Sequence, residues 1–219
     1  MLTAVVGQDR EVEPVSVEAA RLPAWKRTMD VTVSALLLIA VAPLCAIIAL
    51  AVALESPGGV FYRHRRVGQG GKPFTCWKFR SMRVGADREQ EQLRAQNEAS
   101  GHIFKIKADP RCTRTGRLLR KTSLDELPQL WNVLRGDMSL VGPRPPLPSE
   151  VEHYSERDRE RLRGVPGITG LWQVKARERH DFDEMVELDI RYLAELSWRM
   201  DAWILMLTVP VVLFARGSY

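Results

Sequence analysis

The sequence is poor in cysteine, and the cysteines it has form no framework. Its 219 residues contain three, Cys45, Cys76 and Cys112, an odd number without the spacing of zinc ligands. A disulfide-stapled fold and a structural zinc site are therefore not expected, and a reducing compartment is favoured. Glycine (15) and proline (13) are too sparse for a fibrous or low-complexity chain, and no repeat of 20–50 residues is present.

Two nucleotide-binding signatures are also missing. The chain has neither a GxGxxG sequence nor a Walker loop, and strands and helices do not alternate as they do in a doubly wound sheet. Its length allows one or two domains. The expected fold class is therefore α+β and mainly α, with a small β element.

Positive charge is concentrated in one segment. Residues 61–121 hold 16 lysines and arginines against five acidic residues. Such an excess attracts a polyanion, for example nucleic acid, an anionic membrane face or a phosphorylated substrate. A solvated basic surface is the simplest interpretation, and composition alone leaves these alternatives open.

One apolar segment is long enough for a membrane. Residues 31–54 run for 24 positions without a charge, and a straight helix of that length measures about 36 Å, more than a hydrocarbon core of about 30 Å. Pro43 lies near its middle and tends to kink a helix. Both flanks are basic, whereas the positive-inside rule places lysines and arginines on the cytoplasmic side. A spanning helix and a re-entrant helix that returns to the same face both remain open.

The remaining chain predicts short elements. Residues 60–66 and 73–79 flank Gly68-Gln69-Gly70-Gly71 and predict a β-hairpin, and residues 84–99 predict an exposed helix. Further helices are expected at about 112–120, 124–135, 149–163 and 181–196. Proline-glycine loops are expected at 141–146 and 164–170. The apolar stretch 202–215 is too short to span and predicts a helix on the membrane surface or in the core.

An acidic pair follows the basic segment. Asp125 and Glu126 come soon after Arg120, and Ser123 and Glu126 have the spacing of a capping box at a helix start. Pro128 fits a helix whose N-cap is Asp125 better than one whose N-cap is Ser123. Taken alone, two acids in a first helical turn are most simply structural.

Six segments in one order change this interpretation. They are Lys26-Arg27-x-x-Asp30, the apolar stretch, Lys78-Phe79-Arg80-Ser81-Met82, Ser123–Leu134, Gly142-Pro143-Arg144-Pro145 and Pro166–Gln173. This series resembles the bacterial sugar transferases called monotopic phosphoglycosyl transferases, over about residues 23–219. The chain lacks the N-terminal transmembrane bundle of larger members and so resembles the minimal catalytic form. One departure is Ala42 before Pro43, where relatives often place a serine.

Three parts and one membrane topology are expected. Residues 1–22 lie outside the resemblance and, being acidic and without periodicity, predict a loose tail. By the resemblance, 23–57 would be a re-entrant membrane helix hairpin, and 58–219 a catalytic domain on the cytoplasmic face of the inner membrane, with an interfacial C-terminal helix. The implied partners are a UDP-sugar, polyprenyl (undecaprenyl) phosphate and the bilayer, and not nucleic acid. Contact with downstream glycosyltransferases and a homodimer are left open.

The resemblance also implies a reaction. A sugar 1-phosphate passes from the UDP-sugar to polyprenyl phosphate, releasing UMP and starting exopolysaccharide or other glycan assembly. Asp125 would be the nucleophile of an aspartyl-phosphosugar intermediate, because an ionised carboxylate attacks phosphorus without a general base. Mg²⁺ would be held by Glu126, Asp125 or both, with substrate oxygens.

Residues of the matched segments are the expected binding residues. The cations expected at the substrate phosphates are Lys78, Arg80, Arg120 and Arg144, with Arg144 on the nucleotide side between Pro143 and Pro145. Thr169 and Gln173 are expected to contact sugar or nucleotide, or to form a structural turn. For the lipid phosphate the expected residues are Lys26 and Arg27, with Asp30 as partner. From a different class, a membrane-anchored basic binding or scaffold protein without catalysis also fits the charge, but it leaves the acidic pair unexplained.

Overall fold

The computed structural model describes residues 4–6, 16–89, 93, 106, 109–176 and 181–213. Its fold is mainly helical with two small sheets, as expected. The helices are α1 (Ala24–Glu55), α2 (Arg114–Thr122), α3 (Gln129–Arg135), α4 (Pro148–Val151), α5 (Glu156–Arg159), α6 (Leu171–Lys175), α7 (Phe182–Ala194) and α8 (Trp198–Leu213). The strands are β1 (Ala4–Val6), β2 (Phe61–Val67), β3 (Pro73–Phe79), β4 (Ser139–Val141) and β5 (Gly167–Thr169).

The predicted β-hairpin is confirmed. Strands β2 and β3 pair antiparallel from Phe61–Phe79 to Val67–Pro73. The connecting turn is a short 3-10 segment in which Gly70 and Gly71 have φ values of 69° and 79°, a left-handed region that favours glycine.

The N-terminal residues are attached to this sheet. Strand β1 pairs parallel to β2. Farther along, the amide of Ala20 donates to the carbonyl of Arg163 at 2.8 Å, and Gln69 donates to the carbonyl of Ala20 at 2.6 Å. The described residues 4–6 and 16–22 therefore include backbone contacts with the domain.

Helix α1 is one continuous helix of 32 residues that runs through Pro43. At about 1.5 Å per residue it measures about 48 Å. It is the one helix among the described residues that is long and apolar enough to cross a membrane. Along one face it exposes large apolar side chains at 60% or more: Leu36, Ile39, Ile47, Leu50 and Leu54.

The opposite face of α1 packs on the domain at both ends. Near its start, Val33, Leu38 and Val41 contact a core built around Leu130, Val133 and Leu140. Near its end, Ile48 and Val52 pack with Val60, Phe79 and Leu119 from the hairpin and α2. A third cluster, under α6 and α7, includes Trp172, Met185 and Val186.

The region around the acidic pair differs from the expected helix at 124–135. Ser123 ends helix α2 in the left-handed conformation (φ 55°), and its side chain makes no capping hydrogen bond to the residues that follow. Residues 124–126 form one 3-10 turn, and α3 starts at Gln129 after Pro128. Neither Ser123 nor Asp125 is the N-cap of α3, because Pro128 occupies that position.

The remaining predicted helices agree with the observed ones to different degrees. The helix expected at 149–163 is divided into α4, α5 and a 3-10 turn, because Ser155 caps α5 by accepting from the amide of Asp158. Helix α7 matches its expected range. Of the helix expected at 84–99, residues 86–89 form a 3-10 turn and most of the rest lies outside the described residues.

Helix α8 packs in the core along one face, and the prediction that it lies on a membrane surface stays a prediction. Ile204 and Asp201 are fully buried, so one face belongs to the core. Trp203, Met206 and Val209 are exposed on the other face. Aromatic and apolar side chains exposed in this way are typical of a helix at a membrane surface.

Candidate active site

The site is built on one face of the β2–β3 hairpin. Side chains alternate along a strand, so the opposed pairs Tyr62–Lys78 and His64–Cys76 point to the same face. Helix α3 fixes the free edge of β3: Asn132 accepts from the amide of Trp77 at 3.0 Å and donates to the carbonyl of Thr75 at 2.7 Å. These two hydrogen bonds fix β3, and with it Lys78, relative to helix α3.

The acidic pair lies beside Lys78. The left-handed Ser123 turns the chain sharply after α2, so that the next 3-10 turn presents Asp125 and Glu126. A non-glycine residue in this conformation is uncommon and is often found at functional sites. Lys78 Nζ donates to Glu126 Oε1 at 2.7 Å, and these two side chains are 20% and 31% exposed.

Asp125 is the buried member of the pair, at 6% exposure. Burial raises its pKa from the ordinary value to about 6; the positive charges of Lys78 and Arg120 oppose the rise, and Glu126 adds to it. A strongly shifted carboxyl among cations marks a candidate functional group. At pH 7 the group is still mainly ionised, as a nucleophilic carboxylate requires.

Arg120 reaches the site from the last turn of α2. It is 30% exposed, donates to Cys112 Sγ at 3.1 Å and lies 3.7 Å from Asp109. Asp109 is itself held by Arg111. Two neighbours thus orient Arg120 while its guanidinium remains partly open to solvent.

The two proline-glycine loops come together. Strands β4 and β5 pair in parallel. The amide of Gly142 donates to the carbonyl of Thr169, and the amide of Gly167 donates to the carbonyl of Pro143, each at 2.9 Å. A Cβ on Gly167 would lie 2.1 Å from the backbone nitrogen of Gly142. Only glycine permits this approach, which brings Pro143 and the Thr169 segment to one place.

Arg144 is held in place by contacts to its backbone and to its side chain. The fully buried Arg161 donates to the carbonyl of Arg144 at 2.9 Å and is itself paired with Asp189 and Tyr154. The Arg144 side chain lies 3.5 Å from the buried carboxylate of Glu150. The Arg144 guanidinium is therefore positioned through both its backbone and its side chain.

The predicted cations converge on a residue that sequence reasoning missed. Burial keeps the pKa of His64 well below its usual range, and the charges of four cations lower it further. These cations are Arg66, Lys78, Arg144 and Arg120. Arg66 was also missed; it is buried and donates to the carbonyl of Pro145 at 2.9 Å. The period-2 alternation of β2 was the signal that places His64 and Arg66 on the face of Lys78.

Arg80 was predicted to bind substrate phosphate, and the structure places its side chain at the end of α1 instead of beside Lys78. Its guanidinium donates to the carbonyls of Pro57 and Ser56, each at 2.8 Å, and more weakly to Val52. The carbonyls of Val52 and Ser56 belong to the C-terminal end of α1, where carbonyls lack partners within the helix, and Pro57 follows directly. Arg80 follows the last residue of β3 and caps the C-terminal end of α1.

The three residues predicted to meet the lipid phosphate make contacts within the protein. Lys26 forms a fully buried ion pair with Asp201 of α8 at 2.6 Å. Arg27 donates to the carbonyls of Val133 and Leu134 at the end of α3. Asp30 accepts from Ser139 and from the amide of Leu140, so all three join α1 to the domain.

Thr169 and Gln173 have different surroundings. Thr169 is buried and shares a hydrogen bond with Thr208 of α8 at 2.8 Å, which is a structural contact. Gln173 has a buried side-chain oxygen without a hydrogen-bond partner in the described part of the chain. Gln173 therefore stays a candidate for binding, whereas Thr169 links two elements.

The carboxylates fit the predicted Mg²⁺ in kind and number. In the described residues no group of three or more His, Cys, Asp or Glu side chains is placed to hold a metal. Mg²⁺ is commonly bound by one or two carboxylates together with substrate phosphates and water. The partly exposed Glu126 next to Asp125 supplies that donor set.

A candidate membrane helix and a carboxylate pair among several cations are features of enzymes that act on phosphorylated substrates at a membrane. The comparison with known proteins is more specific. The chain belongs to the bacterial sugar transferase family, whose model matches residues 21–215.

Three relatives give the range of this similarity. The exopolysaccharide production protein ExoY of Sinorhizobium fredii is 41% identical over 198 residues, covering 89% of this chain and 88% of its own. The UDP-glucose:undecaprenyl-phosphate glucose-1-phosphate transferase of Caulobacter vibrioides is 43% identical, covering 89% and 72%. The galactosyl transferase CpsE of Streptococcus agalactiae is 44% identical, covering 88% and 43%, so this chain spans less than half of its length.

Proposed function

We propose that this protein transfers a sugar 1-phosphate from a UDP-sugar to polyprenyl phosphate and releases UMP. The observation that carries the proposal is the buried Asp125 beside Glu126, with Lys78 and Arg120 acting on its charge. The named activity of the Caulobacter relative supports the same reaction. Glycan assembly, as in the exopolysaccharide protein ExoY, would follow from the lipid-linked product.

The proposed chemistry has two steps that need no external base. An Asp125 carboxylate oxygen attacks the sugar-bound phosphorus, and the bond from that phosphorus to the bridging oxygen breaks, so UMP leaves. A polyprenyl phosphate oxygen then attacks the same phosphorus, breaks the bond to Asp125 and restores the carboxylate. Both attacking groups are oxyanions near neutral pH, so no proton must be removed.

The cations of the site would make these steps electrostatically feasible. Fixed positive charges stabilise the negative charge that gathers on phosphoryl oxygens. Lys78 and Arg120 act on the charge of Asp125, and Arg144, whose carbonyl is held by Arg161, would bind on the nucleotide side. Glu126, with or without Asp125, would hold Mg²⁺, which supplies charge neutralisation of the diphosphate when bound.

We propose a re-entrant arrangement for α1. Its start is tied to the domain by Lys26 and Arg27, and its end by Arg80. In addition, Glu55 accepts from the amides of Arg114 and Thr115 at 2.7 and 2.9 Å. Two ends held by one domain favour burial of the exposed apolar face in one leaflet, with the domain on the cytoplasmic side.

Cysteine labelling tests this arrangement. In a cysteine-free background, Thr28→Cys and Pro57→Cys place single thiols at the two exposed ends of α1. A membrane-impermeant maleimide should label both in inverted vesicles and neither in spheroplasts. Labelling of one end from each side would show a spanning helix and overturn the arrangement.

The activity is tested by UMP release. Purified protein in detergent or lipid nanoparticles is supplied with Mg²⁺, polyprenyl phosphate and a panel of UDP-sugars. UMP release that depends on one sugar and on the lipid is expected. A folded protein that releases no UMP with any member of the panel would contradict the proposal and favour a scaffold.

A further inference from the structure

The imidazole of His64 lies where the cations of the site meet. It faces the same side of the hairpin as Lys78, opposite Cys76. Arg66, two residues on, places its Nη2 3.3 Å from His64 Nδ1 while its Nη1 holds the carbonyl of Pro145. Through Arg66, the His64 side chain on the hairpin is linked to the loop that carries Arg144.

Hydrogen-bond chemistry fixes the tautomer of this ring. An arginine only donates, so Nδ1 of His64 must accept from Arg66 and carries no proton. The ring proton is then on Nε2. Burial, followed by the charges of four cations, disfavours a second proton and lowers the pKa of His64. The described residues offer Nε2 no hydrogen-bond partner of their own.

The charge around the ring indicates what Nε2 would meet. Several fixed cations close together repel one another and are stabilised when an anion binds among them. The cations here are Arg66, Lys78, Arg120 and Arg144. A neutral N–H donor among these cations suits a phosphate oxygen. It can donate a directed hydrogen bond and adds no positive charge that the neighbouring cations would repel.

The geometry points to His64 as a substrate-binding residue: its Nε2–H donates a hydrogen bond to a phosphate oxygen. This inference rests on the proposed function for the identity of the phosphate. The donor diphosphate and the lipid phosphate share the chemistry, and the measurements below separate them.

Two amide variants separate this role from a structural one. The amide of asparagine lies near the Nδ1 position of histidine, and that of glutamine near Nε2. His64→Asn keeps an acceptor for Arg66 and loses the Nε2 donor, whereas His64→Gln keeps a donor there. The exposed His153 provides matched controls, His153→Asn and His153→Gln.

UDP affinity is measured by calorimetry with Mg²⁺, alongside KM for the UDP-sugar and for polyprenyl phosphate. We expect His64→Asn to weaken UDP binding or raise one KM about tenfold, the usual effect of losing a hydrogen bond to a charged group. His64→Gln should stay within about threefold of the wild type. A rise in KM for the lipid alone would assign the oxygen to the acceptor.

The opposite pattern would overturn the inference. If His64→Gln is impaired and His64→Asn is normal, the ring only holds Arg66; if both match the wild type, His64 binds no phosphate. A wild-type protein that binds no UDP and releases no UMP would instead refute the proposed function. Thermal unfolding of every variant verifies that a loss of binding is not a loss of folding.

Discussion

Replacing Asp125 by asparagine should stabilise the substrate-free protein while abolishing UMP release. The carboxyl is 6% exposed and its pKa is raised to about 6, chiefly by burial. Folding therefore disfavours its ionised form, and the nearby Lys78 and Arg120 offset only part of that penalty. Asparagine has a similar shape and no charge, so the penalty disappears together with the nucleophile.

The sign and size of the effect follow from linkage between protonation and folding. A group whose pKa is raised in the folded state stabilises the protein below its unfolded pKa, and this contribution is lost as pH rises through the folded value. A rise from near 4 to about 6 corresponds to about 3 kcal/mol when complete, and about half of this is lost between pH 5 and pH 7.5.

Thermal unfolding in detergent at these two pH values measures the difference. For a chain of this length we expect the Tm of Asp125→Asn, relative to wild type, to rise by about 3–6 °C more at pH 7.5 than at pH 5. The exposed Asp183→Asn should show no comparable widening. A Tm difference that is constant with pH, or a variant less stable than wild type at pH 7.5, would refute the reasoning.

Three further perturbations test the contacts that position the site. Arg80→Ala removes the cap of α1 and should lower Tm by several degrees, whereas the exposed Arg83→Ala should not; equal Tm values would contradict the capping role. Asp201→Asn leaves the buried Lys26 without its counter-charge and should cost about 3–5 kcal/mol in unfolding free energy, so an unchanged denaturation midpoint would be the contrary result. Lys78→Met removes a charge that lowers the pKa of Asp125, so the acidic limb of the pH–rate profile should move to higher pH; a limb that stays in place would separate Lys78 from the carboxyl.

The local patterns of the sequence were sufficient for the hairpin and for the acidic pair. Alternating apolar and polar residues around a glycine-rich turn predicted β2 and β3, and the matched segments brought Asp125, Glu126, Lys78, Arg120 and the Arg144 loop into one site. These features depend on residues close together in the chain or on the resemblance, and the fold confirms that they are brought together.

The charged residues near the membrane helix could not be assigned in the same way. A sequence shows that Lys26, Arg27 and Arg80 are cations, but it does not show which buried carboxylate or helix end comes close to them. Two of these residues cap helices and the third pairs with Asp201, 175 positions away. His64 was missed for the converse reason, since its importance appears only when cations from three other elements surround it.

The most direct test of the central claim is to trap the phosphosugar on the protein. Wild-type protein is incubated with Mg²⁺ and the accepted UDP-sugar, without polyprenyl phosphate, and its mass is measured intact and after proteolysis. The account predicts one equivalent of UMP, an added sugar phosphate on the peptide that contains Asp125, and its loss when polyprenyl phosphate is supplied. An active protein that releases UMP only when the lipid is present, and carries no added mass, would contradict a covalent aspartyl intermediate.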